Sequence, residues 1–441
     1  MPLLLSLGCA GAPPPELSFL VISMDTFRAD RVGALDAQGR SLTPNLDALS
    51  AESRVYTRAF SQSNETLFSH TALFTGRYPS EFGSLDYRGY TLPPDTLTFA
   101  ALLSRAGWAT EAVVAGGHLS PVFGVNAGFQ RYQSMTDFGS FQETVPVALE
   151  RLDALADDER PFLLFVHGYD AHSPYVKPGP LYRVDAPGYD GPMLDAARNP
   201  LTYERVRWDR YYPGFTPPQL TTPDGRAFLD PELFAGLETF AERIPGEQLT
   251  EADIAFLRGS YDAAVRHVDF FVGVMLAELD RRGLAETTAV VVLADHGEDL
   301  LDHGYFNHRL SLHDENIAVP LIVRVPGAPP ARVEAPVALV DVMPTLAGLA
   351  GLEPPPGRGL DLLEAADPER LIYSESLRGD VSIAGLEGRL SLRRGDVGQS
   401  DGPAPPEGGW LTGPDGEALD WSAPNRAALT AGLVEAAAAQ P

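Results

Sequence analysis

The chain of 441 residues is 44% hydrophobic and 21% charged, a globular composition with a large core and room for about two to three domains. Its 33 basic and 60 acidic residues give a net charge of −27, which argues against a nucleic-acid partner because phosphate neutralisation needs clustered Lys and Arg. The single cysteine, Cys9, excludes a disulfide framework and a cysteine-based metal site within the chain.

The first residues have the pattern of a targeting segment. A short apolar run ends in Leu7-Gly8-Cys9, and small residues and prolines follow. This pattern resembles the end of a bacterial lipoprotein signal, in which the cysteine is lipidated, although basic residues at its start are lacking. We therefore expect residues 1–16 to be a signal and linker, with anchoring through Cys9 and an extracytoplasmic location, periplasmic or at the cell surface. An incidental apolar N-terminus is the alternative.

Buried strands are predicted where short, almost continuous apolar runs occur. The three clearest runs are residues 17–24, 161–166 and 288–294. Further strands are predicted at residues 109–115 and 321–325, and helices at 98–106, 145–155, 261–282, 341–349, after Thr43-Pro44 and from about residue 424. Strands that alternate with helices indicate an α/β fold with a doubly wound, mostly parallel sheet flanked by helices.

Polar residues follow each of the three clearest strands. Asp25 follows the first, residues 167–172 with His167, Asp170 and His172 follow the second, and residues 295–298 follow the third. Open α/β sheets bind ligands beyond the carboxyl ends of their strands, so these side chains are expected at one edge of the sheet.

The stretch from residue 64 to residue 76 is predicted to place a hydroxyl group, that of Thr66, at the start of a short helix. Free backbone N–H groups and the helix dipole favour an anion at that position. The simpler interpretation is that Thr66 or Ser69 only caps the helix.

A metal site is predicted from Asp25, Asp295, His296 and the Thr66 hydroxyl. Carboxylates suit hard divalent cations and imidazole suits transition metals, so one divalent ion is expected, which could be Ca, Mn, Mg or Zn. Such an ion would lower the pKa of the Thr66 hydroxyl and make it a nucleophile.

Histidines are concentrated near the same segments. All of the nine except His267 lie beside predicted strand ends or site loops. Imidazoles can stabilise a transferring oxyanion or protonate a leaving group near neutral pH. On this basis His167 is a candidate for substrate binding.

The domain organisation follows from shifts in composition. Residues 176–250 are rich in proline and aromatic residues and are predicted to form a lid-like insertion in a catalytic domain that spans residues 17–365. Residues 366–441 are predicted to form a small α+β C-terminal subdomain.

Several motifs, in this order, resemble those of sulfatases, within the alkaline phosphatase superfamily. They are Asp25-Thr26-Phe27-Arg28-Ala29-Asp30, Thr43-Pro44-Asn45-Leu46-Asp47, residues 66–76 with Tyr78-Pro79, Asp170-Ala171-His172-Ser173-Pro174-Tyr175, Asp295-His296-Gly297-Glu298, Val319-Pro320-Leu321-Ile322-Val323 and Asp341-Val342-Met343-Pro344-Thr345-Leu346.

This resemblance implies an alkaline phosphatase-like fold and specific site residues. Asp25, Asp295 and His296 match metal ligands, and Thr66 occupies the place of the cysteine or serine that becomes formylglycine. The remaining matches are histidines: His70 in place of a substrate-binding arginine, His118 from the Lys-x-His element, His172 from the substrate-binding loop, and His308 in place of a later lysine or histidine that contacts the sulfate or phosphate.

Three departures from the family pattern bear on the chemistry. Thr26 replaces the second aspartate of an Asp-Asp pair, Gly116 replaces the lysine of Lys-x-His, and Thr66 cannot become formylglycine. A threonine ester must be hydrolysed by water at the transferred group, which superfamily members with threonine nucleophiles do at phosphorus.

The leading hypothesis is a metal-dependent hydrolase of the sulfatase family that cleaves a sulfate or phosphate ester through Thr66, without formylglycine. The expected substrate is an ester of a small molecule, a glycan or a lipid headgroup, and no nucleic acid. One alternative is a phospho-group transferase of the same superfamily. Another is a degenerate binding protein that keeps the fold without catalysis. The missing lysine, arginine and second aspartate favour it, whereas the retained set of Asp25, Thr66, Asp295 and His296 argues against it.

Overall fold

A computed structural model describes residues 17–441 apart from 88, 136–137, 174, 176–183, 185–187, 192–249, 304–306, 310, 365–366, 394–408, 414–416, 421–422, 424–425 and 439–441. The predicted signal segment, residues 1–16, and most of the predicted lid, residues 176–250, therefore lie outside the described residues.

Strands and helices alternate along the described residues between 17 and 350. The strands are β1 (Ser18–Met24), β2 (Arg54–Tyr56), β3 (Ala59–Phe60), β4 (Ala109–Val114), β5 (Arg131–Ser134), β6 (Phe162–Gly168), β7 (Thr288–Leu293), β8 (Ala318–Val319), β9 (Leu321–Arg324), β10 (Ala331–Val333), β11 (Val337–Ala338), β12 (Ile372–Glu375), β13 (Asp380–Gly385), β14 (Gly388–Arg393) and β15 (Trp410–Thr412). The helices are α1 (Pro44–Ala51), α2 (Thr66–Thr75), α3 (Phe99–Ala106), α4 (Phe141–Ala156), α5 (Glu251–Arg281), α6 (Asp314–Ile317), α7 (Val342–Leu349) and α8 (Arg426–Ala438).

The main sheet has the strand order β10-β2-β9-β7-β1-β6-β4-β5. All neighbouring strands run parallel except β9, which is antiparallel to β2 and to β7. At the centre, Ile22 of β1 pairs with Val166 of β6 on one side and with Val292 of β7 on the other. The predicted mostly parallel α/β sheet is confirmed.

The central strands are apolar along their whole length because helices cover the sheet. Every residue of β1, β6 and β7 is buried. Helices α1 and α4 both contact α5, whereas α2, α3 and α7 contact one another, as expected for a helical layer on each face of the sheet. One continuous apolar core fills the space between the sheet and these layers.

The C-terminal segment forms a second, antiparallel sheet in the order β12-β13-β14-β15. Helix α8 contacts β13 and β14, and Leu429 and Leu433 of the helix lie in a separate apolar cluster with residues of this sheet. The buried Arg389 ties the sheet to the main domain, since its Nε lies 2.7 Å from Asp314 Oδ1.

Two helices begin earlier than the apolar periodicity predicts. Helix α4 begins at Phe141 rather than at residue 145, and α5 begins at Glu251 rather than at residue 261. A capping box starts α5, because the Thr250 hydroxyl accepts from Asp253 N and the Asp253 carboxylate accepts from Thr250 N. Among the described residues, no helix is long and apolar enough to cross a membrane.

Candidate metal and nucleophile site

Three neighbouring strands and one helix meet at the carboxyl edge of the main sheet. Asp25 directly follows β1, His167 is the penultimate residue of β6, and Asp295 lies two residues beyond β7. Thr66 is the first residue of α2. The side chains of all four are almost completely buried, so the predicted convergence of strand ends produces an enclosed polar site.

Thr66 contacts two of the three predicted metal ligands. Its Oγ1 lies 3.1 Å from Asp25 Oδ2 and 3.4 Å from His296 Nε2. Neither Thr66 nor Ser69 caps α2, because Glu65 holds the cap position and the Ser69 hydroxyl instead donates to Asp295 O at 2.7 Å. The simpler interpretation of Thr66 as only a helix cap is therefore wrong.

Asp295 has one engaged and one open carboxylate oxygen. Oδ1 accepts hydrogen bonds from the backbone of Thr26 (3.2 Å) and His296 (2.8 Å). Oδ2 is buried and has no hydrogen-bond partner among the described residues, although the ring nitrogens His296 Nε2 and His70 Nδ1 lie 3.5 and 3.6 Å away. A buried carboxylate oxygen without a donor is costly unless a cation or proton satisfies it.

Electrostatics of the site favour a cation. Burial and the nearby Asp25 carboxylate raise the pKa of Asp295 to about 6. Burial lowers the pKa of His296, but Asp295 and Asp25 outweigh burial and the pKa is raised overall. Donor atoms of Asp25, Asp295 and His296 lie within 4.8 Å of one another, so these residues fit a divalent ion, which would replace protons as the compensating charge.

A second set of donors, His70, His167 and Asp295, shares Asp295 with the first set. His70 is committed to protein contacts, because its Nε2 lies 2.9 Å from Ser23 Oγ and its Nδ1 lies 2.8 Å from Thr66 O. Burial lowers the pKa of both His70 and His167 to about 4, so both rings are neutral at physiological pH. One ion held by the first set is therefore the better fit.

The predicted catalytic residue His308 lies beside His296, and the predicted catalytic residue His172 lies beside His308. The His308 ring is 4.3 Å from that of His296 and 5.4 Å from that of His172. His308 Nδ1 lies 3.1 Å from Glu298 Oε1, and His172 Nδ1 lies 2.7 Å from Ser173 O, a carbonyl oxygen that can only accept. The structure thus groups these imidazoles around a metal-ligand candidate.

Glu65 lies at the centre of a buried cluster that the sequence analysis did not identify. Its Oε2 accepts a 2.5 Å hydrogen bond from the Tyr87 hydroxyl, and its Oε1 lies 3.4 Å from Arg309 Nε. Tyr87 also reaches the predicted catalytic residue His118, whose Nδ1 is 3.3 Å from the Tyr87 oxygen. An acidic residue directly before the candidate nucleophile was the one sequence signal that pointed to this cluster.

Other polar residues near the strand ends have structural partners instead. The Asp170 carboxylate accepts from Phe141 N and lies 2.7 Å from Nδ1 of the helical His267. His303 and His313 stack on each other with ring centroids 3.7 Å apart, and Trp410 stacks on His313. These contacts are distinct from the donor sets around Thr66.

The first two departures from the expected motif have local consequences. Thr26 adopts a left-handed backbone (φ 55°), which is unusual for a β-branched residue. Its hydroxyl donates to Asp25 O, while its backbone N–H donates to Asp295 Oδ1. Gly116 also has a positive φ of 85°, and its carbonyl accepts from the Tyr169 hydroxyl. Thr26 therefore contributes its backbone, rather than a carboxylate, to the site.

The structure therefore places carboxylate and imidazole donors beside a hydroxyl group at the carboxyl edge of a mostly parallel α/β sheet. A family model described as Sulfatase matches residues 18–352, so the chain belongs to the sulfatase family and is a hydrolase of ester bonds. The predicted family is confirmed.

The chain is similar in sequence to one characterised sulfatase and in fold to two solved hydrolases or substrate complexes. Steryl-sulfatase of Rattus norvegicus is 27% identical over 432 residues, which cover 80% of this chain and 70% of the relative. Phosphonate monoester hydrolase SpPMH from Silicibacter pomeroyi superimposes with a TM-score of 0.66 at 20% identity, covering 96% of this chain and 94% of that one. BT4656, solved with its substrate D-glucosamine-2-N,6-O-disulfate, gives 0.66 at 18% identity, covering 96% and 97%.

Proposed function

We propose that this protein is a metal-dependent hydrolase that cleaves a sulfate or phosphate ester through Thr66. The observation that carries the proposal is the position of Thr66 Oγ1, which lies 3.1 Å from Asp25 Oδ2 and 3.4 Å from His296 Nε2 at a helix N-terminus. A hydroxyl held among cation ligands and under free helical N–H groups has the surroundings of a nucleophile that attacks an anionic group.

In this proposal Asp25, Asp295, His296 and Thr66 hold the divalent ion, for which Ca, Mn, Mg and Zn are candidates. Such an ion supplies positive charge that acidifies the Thr66 hydroxyl and stabilises charge on the transferred group. The protein contributes the geometry, since the backbone N–H groups of Thr26 and His296 fix Asp295 through its Oδ1.

The reaction has two halves. In the first, Thr66 loses its proton, its Oγ1 bonds to sulfur or phosphorus, and the bond to the leaving oxygen breaks as that oxygen takes up a proton. In the second, a water oxygen bonds to sulfur or phosphorus, the bond to Thr66 Oγ1 breaks, and Thr66 regains a proton. Because threonine offers no aldehyde route, water must attack the transferred group, which favours a phosphate ester over a sulfate ester.

The histidines have separate proposed roles. His118, His172 and His308 are proposed to be catalytic, and to transfer protons to or from the reacting oxygens or to stabilise charge on them. His167 is proposed to bind the substrate. Both ring nitrogens of His70, the other predicted substrate-binding histidine, contact protein atoms, so His70 is proposed to position the first turn of α2 instead. Arg309, which pairs with Glu65, supplies a permanent positive charge close to His118.

The substrate class and cell location extend the proposal. A sulfated glucosamine is bound by the structural neighbour BT4656 and a steryl sulfatase is a sequence relative, which supports an ester of a small molecule, a glycan or a lipid headgroup. We also propose that residues 17–365 form the catalytic domain, with residues 176–250 as its lid, and that residues 366–441 form a C-terminal subdomain. The proposed location is extracytoplasmic, with the chain anchored through Cys9. Replacement of Cys9 by Ser should then move the full chain from the membrane fraction to the soluble fraction.

The decisive experiment compares wild type with Thr66→Ala on p-nitrophenyl phosphate, a bis-ester analogue and p-nitrophenyl sulfate, each with Mn²⁺, Zn²⁺ or Ca²⁺. We expect Thr66→Ala to lose at least about a hundredfold in kcat on whichever ester is cleaved. Thr71→Ala is the matched control, because Thr71 lies in the same helix, is equally buried, and has a hydroxyl that donates to Leu67 O and also contacts Tyr90. Activity of Thr66→Ala equal to that of Thr71→Ala would overturn the nucleophile assignment.

A further inference from the structure

Glu65 is a buried acid whose carboxylate is not used for the usual purpose at its position. It occupies the N-cap of α2, where the side-chain oxygen of a capping residue accepts from the first helical N–H groups. No such cap hydrogen bond forms, and only 1% of Glu65 is exposed. The carboxylate instead faces Tyr87 and Arg309, so its position calls for an explanation other than helix capping.

The Tyr87 hydroxyl joins Glu65 to His118. It lies 2.5 Å from Glu65 Oε2 and 3.3 Å from His118 Nδ1, and the Tyr87 and His118 rings stack with centroids 4.4 Å apart. A tyrosine hydroxyl has one proton, and a carboxylate can only accept. The proton therefore goes to Glu65, and toward His118 the tyrosine oxygen can only accept a hydrogen bond.

This arrangement determines which nitrogen of His118 carries the proton. A donor must face the Tyr87 oxygen, so Nδ1 of His118 is protonated, and the neutral ring then has its lone pair on Nε2. We propose that Glu65 and Tyr87 are positioning residues that hold His118 in the Nδ1–H tautomer and so make it a proton acceptor in the reaction. The proposal rests on the catalytic role of His118 proposed above.

The surroundings of the three residues agree with this arrangement. Arg309 Nε lies 3.4 Å from Glu65 Oε1 and is a charged partner for that side chain. Burial and the Glu65 charge raise the pKa of Tyr87 well above its usual value, so the hydroxyl keeps its proton. Burial, followed by the charge of Arg309, lowers the pKa of His118 well below its usual value, so the ring is neutral.

The tautomer is measured directly by ¹⁵N NMR on metal-free protein labelled at histidine, where protonated and unprotonated ring nitrogens resonate far apart. The His118 signals are identified by their loss in His118→Gln. We expect Nδ1–H in the wild type, and a change toward Nε2–H in Glu65→Gln, where the amide can donate to Tyr87 and turn its proton toward His118. An Nε2–H signal in the wild type would overturn the proposal.

Activity measurements on the metal-loaded enzyme test the consequence. Tyr87→Phe keeps the ring that stacks on His118 and removes only the hydroxyl, so we expect kcat to fall by about tenfold to a hundredfold with little change in KM. Tyr90→Phe is the matched control: Tyr90 is also buried and packs on Phe68, but its hydroxyl donates to Pro79 O. Equal kcat values for the two variants would overturn the positioning role.

These outcomes separate this inference from the proposed function. If Thr66→Ala keeps full activity while the wild type shows Nδ1–H on His118, the nucleophile assignment fails and the assignment of the tautomer stands. If Thr66→Ala is inactive while Tyr87→Phe matches Tyr90→Phe in kcat, the nucleophile assignment stands and the role of Glu65 and Tyr87 is refuted.

Discussion

Metal binding should weaken steeply as the pH falls from about 7 to about 5. Burial and Asp25 raise the pKa of Asp295 from 3.8 to about 6, a difference that corresponds to roughly 3 kcal/mol. A cation needs the deprotonated carboxylate, so each ion that binds below about pH 6 must displace the Asp295 proton. The apparent Kd should therefore rise by about tenfold for each pH unit below 6, and more steeply if His296 releases a proton as well.

The same shift determines the stability of the metal-free protein. The pKa of Asp295 is higher in the folded than in the unfolded chain, so the folded form binds more protons between about pH 4 and pH 6. The contribution of Asp295 to the free energy of unfolding therefore decreases as the pH rises through this window. His70 and His167, whose pKa values burial lowers to about 4, act in the opposite direction, because their stabilisation is lost as the pH falls below about 6.5.

The assay is isothermal titration calorimetry with Mn²⁺ at several pH values, supported by thermal denaturation with and without the ion. His303→Gln is a suitable control, because the pKa of His303 is raised chiefly by its hydrogen bond to Glu315, outside the donor set. This variant should keep the pH dependence of the wild type. A Kd that is unchanged between about pH 7 and pH 5 would refute the protonation of Asp295 and the charge argument for this metal site.

Two further predictions concern the scaffold of the site. Arg370→Ala should lower the free energy of unfolding by about 3 kcal/mol in denaturant titrations, because it leaves the buried Asp341 without its paired guanidinium. Arg160→Ala removes an exposed ion pair and should leave the midpoint unchanged. Gly297→Ala should reduce both stability and activity, since the added Cβ would lie 2.0 Å from a backbone carbonyl oxygen beside the site, whereas Gly89→Ala meets nothing within 4 Å and should be tolerated.

The strands and the positions of the candidate ligands were predictable because both depend on short-range patterns. A run of apolar residues has to be buried on both faces, and the polar residues that follow it reach the sheet edge by chain connectivity alone. The start of α5 was missed because Gly259 and Ser260 are weak helix formers, while the Thr250 cap and the buried Phe256 and Leu257 stabilise the helix through that point.

The partners of individual side chains were less predictable, because they depend on contacts between residues distant in the chain. His303 and His313 were grouped with the site by their position, but they stack on each other, and His313 stacks on Trp410 of the C-terminal sheet. Asp170 is at a strand end, yet its carboxylate contacts His267, which is 97 residues away in the chain. A sequence pattern predicts that a residue lies near an edge of the sheet but does not determine which side chain contacts it in the folded structure.

The sequence by itself determined the α/β fold, the family and the delivery of Asp25, Thr66, Asp295 and His296 to one edge, because apolar periodicity and motif order are local properties of the chain. The tertiary structure alone decided how those groups are oriented and charged. Burial from all sides raises the pKa of Asp295. The fold also brings Tyr87, 22 residues away, against the carboxylate of Glu65, because packing rather than sequence distance determines which polar groups can satisfy one another.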